Sequence, residues 1–157
     1  LAQAYGVFAS GGVLHQASLL RQDALAEGEQ VISPVIARQI VDMLETVVEE
    51  GGTGTQANLA AYSVAGKTGT VHKADKGGYS DNRYRAIFAG LAPASNPRLV
   101  AVVMIDEPDE QRYHGGESAA PLFSRVMGEA LRLLDVAPDK LMAAEQELKI
   151  PGRRKSV

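Results

Sequence analysis

Residues 61–70 read AYSVAGKTGT, and the backbone conformation of this stretch decides the fold of the chain. If Ala61 is accepted in place of glycine, residues 61–68 match the phosphate-binding loop G-x-x-x-x-G-K-[ST]. Residues 67–70 match instead a K-T-G box, a pattern that serine acyl-transferases use. The first pattern requires a helix that begins at the Lys-Thr pair, so that its N–H groups face phosphate.

The sequence on either side of this stretch favours a β-strand. The residues after Thr68, GTVHKADKGGYSDN, contain three glycines and no apolar stripe at helical spacing. The residues before Ala61, GTGTQANLA, lack the apolar strand that should lead into a phosphate-binding loop. The apolar run ending at Asp106 and Glu107 resembles a magnesium-holding strand of nucleotide hydrolases, but it does not provide the missing helix. We therefore predict an extended strand at about residues 63–73 and no nucleotide site.

The composition fits a globular domain and argues against several partners. Of the 157 residues 45% are hydrophobic and 22% are charged, and the net charge is −3. A negative net charge argues against nucleic acid as a partner, since phosphate contacts need clustered Lys and Arg. No apolar run approaches the roughly 20 residues that span a bilayer. The first residues already follow helical spacing with no cap before them, so we expect the sequence to start inside a helix.

The residue types predict neither a metal site nor a cofactor. Cysteine is absent, which excludes a disulfide, a thiolate ligand and a cysteine nucleophile. His15, His72 and His114 are scattered, with no partner at the spacing of zinc ligands. We interpret Asp106 and Glu107, which precede Pro108, as a solvated turn.

The order of predicted elements is a helix, a strand, a helix, a three-strand meander and a helix. Short hairpin links favour an antiparallel sheet, so we predict an α+β fold in which helices cover that sheet. The predicted helices are 1–10, 34–50 with Ser33 as N-cap, and 119–136, and the predicted strands are 13–25, 63–73, 83–93 and 98–108. A further short helix is predicted at 139–148, and residues 76–78 should form the hairpin tip.

Burial is predicted from the apolar pattern. The third strand of the meander is almost continuously apolar, so we expect it to be central or covered on both faces. The helix at 119–136 carries two apolar rows and should be buried broadly. The rows are Phe123, Met127, Leu131 and Leu134, and Leu122, Val126, Ala130 and Leu133. The expected buried stripe of the helix at 34–50 is Ile36, Ile40, Met43, Leu44, Val47 and Val48.

As a strand, residues 67–70 carry a coherent set of chemical groups. Thr68 and Thr70 project to the same side of an extended chain, so two hydroxyls can meet one carboxylate of a ligand. Gly69 leaves room for substrate to lie against the backbone. Lys67 places a positive charge beside the reacting hydroxyl, and the N–H of Thr70 can face a developing oxyanion.

In order and spacing, several segments resemble the later part of the transpeptidase domain of class B penicillin-binding proteins, most closely the septal cell-wall synthases of Gram-negative bacteria. The segments are LAQAYGVFASGG, VISPVIARQIVDMLETVVEEGG, VAGKTGT, YRAIFAGLAPASNPRLVAVVMIDEP, the GG before APLFSRVMGEALR, and APDK. The resemblance implies a domain of the serine β-lactamase and transpeptidase class, with residues 1–140 as its C-terminal part. Residues 141–157 are then a flexible tail.

The resemblance also implies an activity, a substrate and a location. Its members are peptidoglycan D,D-transpeptidases that cross-link stem peptides at the septum and are acylated by β-lactams. Lys67 and Thr70 take the catalytic positions, and Thr68, Gly69 and Thr70 bind the terminal carboxylate of a D-Ala-D-Ala stem peptide or a β-lactam. Tyr84 and Tyr113 correspond to an aromatic wall near the ligand, and His114 stands where the family is often aromatic. The parent protein is expected in the inner membrane, with its catalytic domain in the periplasm and with other division proteins as partners.

The chain departs from the family at the nucleophile. No serine is followed by lysine three residues later, so the S-x-x-K box is missing. Ser80-Asp81-Asn82 spells S-D-N, but it follows the K-T-G box, and we interpret it as a turn in the hairpin. We therefore expect this chain alone to be inactive and to need the upstream half of the same domain. A D,D-carboxypeptidase or β-lactamase of the same fold and a non-catalytic penicillin-recognising sensor remain alternatives.

Overall fold

A computed structural model of the chain describes residues 1–21, 27–75, 78–109 and 111–141. The helices are α1 (Ala2–Ala9), α2 (Pro34–Glu45) and α3 (Ala119–Leu133). The strands are β1 (Val13–Leu14), β2 (Glu29–Gln30), β3 (Ala65–Asp75), β4 (Gly78–Ala92) and β5 (Leu99–Asp106). A 3₁₀ turn at Thr55–Ala57 lies between α2 and β3.

The main sheet is an antiparallel meander with β4 between β3 and β5. Thr68 of β3 pairs with Phe88 of β4, and Phe88 pairs in turn with Val103 of β5. The short strands β1 and β2 form a separate antiparallel ribbon. The predicted α+β class, with helices packed on an antiparallel sheet, is confirmed.

The core lies on both faces of β4, because successive side chains of a strand point to opposite faces. On one face the ring of Phe88 packs against Phe123 of α3, with 4.7 Å between ring centroids. On the other face Leu91 belongs to a cluster that includes Val41 of α2 and Ala65 of β3. Helices on both faces therefore fix the strand that pairs with β3.

The third strand of the meander, predicted to be central or covered on both faces, is not central in the part of the chain that the structure describes. It is partly covered on both faces, since one core cluster packs on Leu99, Ala101, Val103 and Ile105 and the other on Val100. β5 lies at the edge of the three-stranded sheet, and Met104 is 59% exposed. The central strand is β4, whose pattern is broken by Gly90 and three alanines and therefore looks less apolar than that of β5. Small residues at these positions let the helices approach closely.

The first predicted strand is also much shorter in the structure. Only Val13 and Leu14 form ladder pairs, with Gln30 and Glu29. Residues 15–21 lie outside any strand, and residues 22–26 fall outside the described ranges. The mixed apolar pattern of this segment has no ladder partner beyond Leu14 among the described residues.

Helix α2 begins as predicted but ends earlier, and its predicted buried stripe is confirmed only in part. Val48, just beyond the helix, is buried, and Ile40, Leu44 and Val47 are half-buried. Pro34 is its first residue, and the hydroxyl of Ser33 accepts a hydrogen bond from the Ile36 N–H at 3.3 Å. The helix ends at Glu45 rather than near Gly51. Its buried residues are Ala37 and Val41, while Ile36 and Met43 are 48% and 62% exposed. The small side chain of Ala37 allows close packing, so the contact line is shifted from the bulkiest residues.

Helix α3 buries one face rather than both of its apolar rows. The buried row is Ala119, Ala120, Phe123, Met127 and Leu131. The second predicted row, with Leu122, Val126 and Leu133, is exposed. The reason is that α3 packs on the sheet through a single face, and no described residue covers the other.

The hairpin after the K-T-G box differs in two respects from the prediction. β4 begins at Gly78, which was predicted to lie at the tip, and Ser80-Asp81-Asn82 lies on β4 rather than in a turn. The other two tip residues, 76 and 77, fall outside the described ranges.

Of the short helix predicted at 139–148, residues 139–141 are helical. Residues 142–157, which include nearly all of the predicted tail, lie outside the described part.

In residues 1–21, 27–75, 78–109 and 111–141, none of the helices has the length and apolar character needed to cross a bilayer.

Candidate active site

Residues 67–70 lie on extended backbone, in the middle of β3. Lys67, Thr68, Gly69 and Thr70 pair in register with Ala89, Phe88, Ile87 and Ala86 of β4. Among the described strands β3 is at the edge of the sheet, so its other side has no strand partner there. A helix does not begin at the Lys-Thr pair, and the nucleotide-binding alternative is therefore excluded by the geometry.

The two threonine hydroxyls line one cavity of about 430 Å³. Thr68 and Thr70 share it because they are two residues apart on a strand. The Nζ of Lys67 donates to Thr68 Oγ1 at 3.1 Å and to the Thr68 carbonyl at 3.2 Å. The cavity thus combines two hydroxyls with a nearby ammonium group, a set of donors suited to a carboxylate.

Thr53 was not singled out by the sequence analysis, yet it belongs to this site. Its hydroxyl lies 3.0 Å from Thr68 Oγ1, and it lines the same cavity. The hydrogen bond between the Thr53 and Thr68 hydroxyls and the one that Lys67 donates meet at one oxygen and together fix the Thr68 side chain. The only signal in the sequence was the run GGTGTQ at 51–56, which reads as an ordinary loop.

A glycine pair brings the loop before α3 onto β3. The N–H of Gly115 donates to Thr70 Oγ1 at 3.2 Å. A Cβ at this position would lie 2.3 Å from the Ile87 carbonyl oxygen and 2.6 Å from that of Gly69, so only glycine fits. The loop backbone therefore rests directly on the strands that carry the hydroxyls, and Gly116 lines the cavity beside it.

Four aromatic rings form a row next to the cavity. Tyr84 of β4 and Tyr113 of the loop are stacked, with 4.4 Å between centroids and an interplanar angle of 24°. His72 of β3 lies 4.5 Å from Tyr84, and His114 lies 4.2 Å from Tyr113. The structure thus brings Tyr84 and Tyr113 together, although they are 29 positions apart in the printed sequence.

The far end of the sheet carries a network of ion pairs rather than a ligand site. Lys73 Nζ contacts Asp106 Oδ2 at 2.8 Å and Glu107 Oε1 at 2.5 Å, and Arg85 Nε contacts Asp106 Oδ1 at 2.9 Å. Hydrogen bonds from Lys73 and then Arg85 hold the pKa of Asp106 below its usual range. The hydrogen bonds of Lys73 with Asp106 and then Glu107 raise the pKa of Lys73. These side chains tie β3, β4 and β5 together at the end of the sheet.

The segment after α3 is hydrogen-bonded to the residues that lead into β3. Asp139 accepts hydrogen bonds from the Ser63 N–H at 2.8 Å, from the Ser63 hydroxyl, and from the Ser95 hydroxyl at 2.6 Å. Burial acts to raise the pKa of Asp139, but these hydrogen bonds outweigh it and hold the pKa below its usual range. The chain is therefore held in place at Ser63, two residues before β3 begins.

Comparison with known proteins identifies the class of protein to which this fold and this site belong. Residues 1–128 match the family described as penicillin binding protein transpeptidase domain. This match covers more than half of the chain, and the chain belongs to that family. The resemblance predicted from the sequence is confirmed.

The names of individual relatives specify the kind of enzyme within this family. The chain is 49% identical over 141 residues to a protein of Pseudomonas aeruginosa named probable peptidoglycan D,D-transpeptidase PbpC, and 38% identical over 146 residues to the peptidoglycan D,D-transpeptidase FtsI of Escherichia coli. These alignments cover 90% and 93% of this chain. The solved transpeptidase domain of penicillin-binding protein 3 from Burkholderia pseudomallei is 39% identical and superposes with a TM-score of 0.81 over 88% of this chain.

The chain is much shorter than these relatives. It spans 25% of the length of the two curated relatives and 42% of the solved domain. The three relatives are named as D,D-transpeptidases or as a transpeptidase domain, which supports that enzyme class. The individual roles of Lys67, Thr68, Gly69, Thr70, Tyr84 and Tyr113 stay predictions.

Proposed function

We propose that this chain forms the K-T-G-T side of the active site of a peptidoglycan D,D-transpeptidase that cross-links stem peptides during septal cell-wall synthesis and is acylated by β-lactams. One observation carries the proposal. Thr68 and Thr70 present two hydroxyls to a single open cavity on an edge strand, and Lys67 Nζ lies 3.1 Å from one of them. Fixed donors around an open cavity beside a strand edge suit an extended peptide ligand that ends in a carboxylate.

Each residue of the box has a role in this proposal. Thr68 and Thr70 donate hydrogen bonds to the terminal carboxylate of a D-Ala-D-Ala stem peptide or to the carboxylate of a β-lactam. Gly69 keeps the strand free of a side chain where the substrate lies against it. Lys67 contributes positive charge to the proton-transfer network of the nucleophile, and the Thr70 N–H stabilises the oxyanion. Tyr84 and Tyr113 form one wall of the substrate site.

The reaction requires a serine that this sequence does not contain in an S-x-x-K box. In the proposed reaction, the serine Oγ attacks the carbonyl of the terminal D-Ala-D-Ala bond, and the leaving D-Ala takes a proton. The resulting ester is then attacked by an amine of a neighbouring stem peptide, which forms the cross-link and frees the serine. We propose that the upstream half of the same domain contributes this serine and that the chain alone is inactive.

The exposed apolar side chains of α2 support the proposal that another segment of the complete protein covers this helix. Val35, Ile36 and Met43 are 67%, 48% and 62% exposed. Covering the part of each side chain that is still exposed would contribute about 1–2 kcal/mol of transfer free energy, since full burial of such side chains contributes about 1.5–3 kcal/mol. In this proposal residues 1–140 complete a domain with the upstream half, and residues 141–157 form a tail. The complete protein is anchored in the inner membrane, acts in the periplasm and works with other division proteins.

The test uses the complete protein that contains this chain, with the isolated chain beside it. We expect fluorescent penicillin to label the complete protein covalently and to leave the isolated chain unlabelled. Lys67→Ala in the complete protein should reduce the labelling rate by about 100-fold or more, the range seen when a group that assists proton transfer is removed. Thr70→Val keeps the backbone N–H but removes a hydroxyl that binds the carboxylate, so it should reduce the labelling rate by about 10- to 100-fold. Thr46→Val, on an exposed threonine at the end of α2, is the matched control and should label normally. Covalent labelling of the isolated chain would refute the argument for a missing nucleophile.

The same protein separates the alternatives that share the K-T-G box. With a D-Ala-D-Ala peptide and a D-amino acid as acceptor, a transpeptidase forms the exchanged peptide. Release of D-Ala with only the hydrolysed peptide as product would indicate a carboxypeptidase. Rapid hydrolysis of penicillin would indicate a β-lactamase, and reversible binding without a covalent product would indicate a sensor.

A further inference from the structure

The row of four rings beside the cavity has a histidine at each end. His72 lies on β3, Tyr84 on β4, and Tyr113 and His114 lie together on the loop before α3. Successive centroids are 4.5, 4.4 and 4.2 Å apart. Contacts of this length couple the position of each ring to the next, so the row joins three separate parts of the fold.

The two histidines differ in what else they contact. His114 lines the cavity that contains Thr68 and Thr70, while His72 is not among the described residues that line it. The residue after His114 is Gly115, whose N–H donates to Thr70 Oγ1 at 3.2 Å. His114 is therefore held from two sides, by the ring of Tyr113 and by the backbone contact with β3.

The charges around His114 can be assigned element by element. On its own segment Glu117 lines the cavity and donates its N–H to the His114 carbonyl at 3.0 Å, and Arg112 lies two residues before His114. On β3 the ammonium of Lys67 contacts Thr68. Tyr84 is the titratable group of β4 in the ring row. The cavity residues between α2 and β3, namely Thr53, Thr55 and Gln56, carry no charge.

We propose that His114 is a specificity-determining residue of the carboxylate subsite, where its protonated imidazole favours ligands that place an anionic group on Thr68 and Thr70. This inference rests on the proposed function of that site. Histidine changes its charge between about pH 5 and 8, and a cation on the face of Tyr113 is stabilised by the ring. Protonation therefore adds one positive charge to a cavity whose lining carries one carboxylate, that of Glu117. The subsite holds an anionic ligand more tightly as the pH falls through this range.

The experiment compares acylation rates of the complete protein and its His114→Phe variant with a fluorescent penicillin between pH 5.5 and 8. Phenylalanine keeps a ring against Tyr113 and removes the charge. The rate of the parent divided by that of the variant cancels the pH dependence of the nucleophile, which both proteins share. We expect this ratio to rise about two- to fivefold as the pH falls, the size of one partly exposed charge interaction. A ratio that stays constant with pH contradicts the proposal.

Two variants and one ligand sharpen the result. His114→Arg keeps a cation that can stack on Tyr113, so its rate relative to His114→Phe should be high at pH 8 as well as at pH 5.5. His72→Phe, at the other end of the row, should retain the pH dependence of the parent. With a penicillin derivative whose carboxylate is converted to an amide, the ratio of parent to His114→Phe should not change with pH. A pH-dependent ratio for that amide would contradict the assignment to the carboxylate subsite.

Failure of this inference and failure of the proposed function give different results. If the complete protein is not labelled at any pH, the proposed function is wrong. If labelling occurs but the ratio is flat, the site binds and reacts with penicillin as proposed, and His114 has no electrostatic role in it.

Discussion

Gly115 controls the candidate site through its lack of a side chain. Its backbone lies against the carbonyl oxygens of Ile87 and Gly69, and its N–H donates to Thr70 Oγ1. The hydroxyl of Thr70 thus accepts from the loop and keeps its own proton available for a ligand. The loop position and the ligand-binding geometry of Thr70 depend on the same contact.

We predict that Gly115→Ala lowers both stability and labelling. The added Cβ would lie 2.3 Å from the Ile87 oxygen, and since both neighbours are backbone, the loop must move away from β3. Overpacking of this kind costs about 1–3 kcal/mol, and the hydrogen bond to Thr70 is lost as well. The measurement is denaturant unfolding of the complete domain together with its rate of labelling by fluorescent penicillin.

The matched control is Gly6→Ala in α1. Gly6 has no atom within 4 Å of the position of an added Cβ, and alanine is favoured over glycine in a helix by up to about 1 kcal/mol. This variant should be as stable as the parent or more so, with unchanged labelling. Equal behaviour of the two variants would show that the close approach at Gly115 is not what holds the loop.

At the scale of single residues, the sequence identified the candidate site residues on β3 but not the groups that hold those residues in position. Lys67, Thr68 and Thr70 could be placed on one strand because alternation along a strand is a local property. The contact of Thr53 with Thr68 joins residues 15 positions apart across a loop, and no periodicity encodes it. The approach of Gly115 to β3 spans 45 positions and likewise depends on the tertiary fold.

Among the elements, α3 shows most clearly how composition and burial can differ. Its buried face packs on the sheet through Phe123, Met127 and Leu131, while Leu133 at its end is 78% exposed. Leu131 and Leu133 have the same side chain on the same helix, so they provide a comparison in which only burial changes.

We predict that Leu131→Ala destabilises the complete domain by about 2–5 kcal/mol, because it removes a fully buried side chain and leaves a cavity. Leu133→Ala should change the free energy of unfolding by less than about 0.5 kcal/mol. Chemical denaturation of both variants measures the difference. A large loss for Leu133→Ala would show that another part of the protein covers this face of α3.

The three helices and the three-strand meander followed from the sequence, whereas the short ribbon of β1 and β2 and the buried faces of α2 and α3 did not. The N-cap at Ser33 and the hairpin of β3 and β4 are local signals, and both are present. Burial depends on what packs against an element. In α2 the small Ala37 faces the core of the fold, while the larger Ile36 beside it is exposed. A hydrophobicity pattern predicts the opposite, because it ranks isoleucine above alanine.

For the molecule as a whole, the end of the described chain returns to the start of β3. Asp139 binds Ser63 and Ser95, and Lys140 Nζ donates to Asn58 Oδ1 at 2.7 Å and to the Leu59 carbonyl at 2.8 Å. These contacts join positions more than 40 residues apart. They hold the segment that leads into the K-T-G-T strand, so that the site depends on residues beyond α3.

We predict that Asp139→Ala destabilises the complete domain by about 1–2 kcal/mol at pH 7, less than the full value of charged hydrogen bonds because the carboxylate is partly exposed. The folded-state pKa of Asp139 is lowered, so its contribution to stability is present above the unfolded pKa of about 3.9 and is lost as the pH falls through the lower folded pKa. The difference in unfolding free energy between the parent and Asp139→Ala should therefore shrink as the pH falls from about 5 to 3. Glu50→Ala, at an exposed carboxylate in the turn after α2, serves as the comparison for a simple change of net charge. A difference for Asp139→Ala that is the same at pH 7 and pH 3 would mean that the ionised carboxylate does not hold the two ends of the fold together.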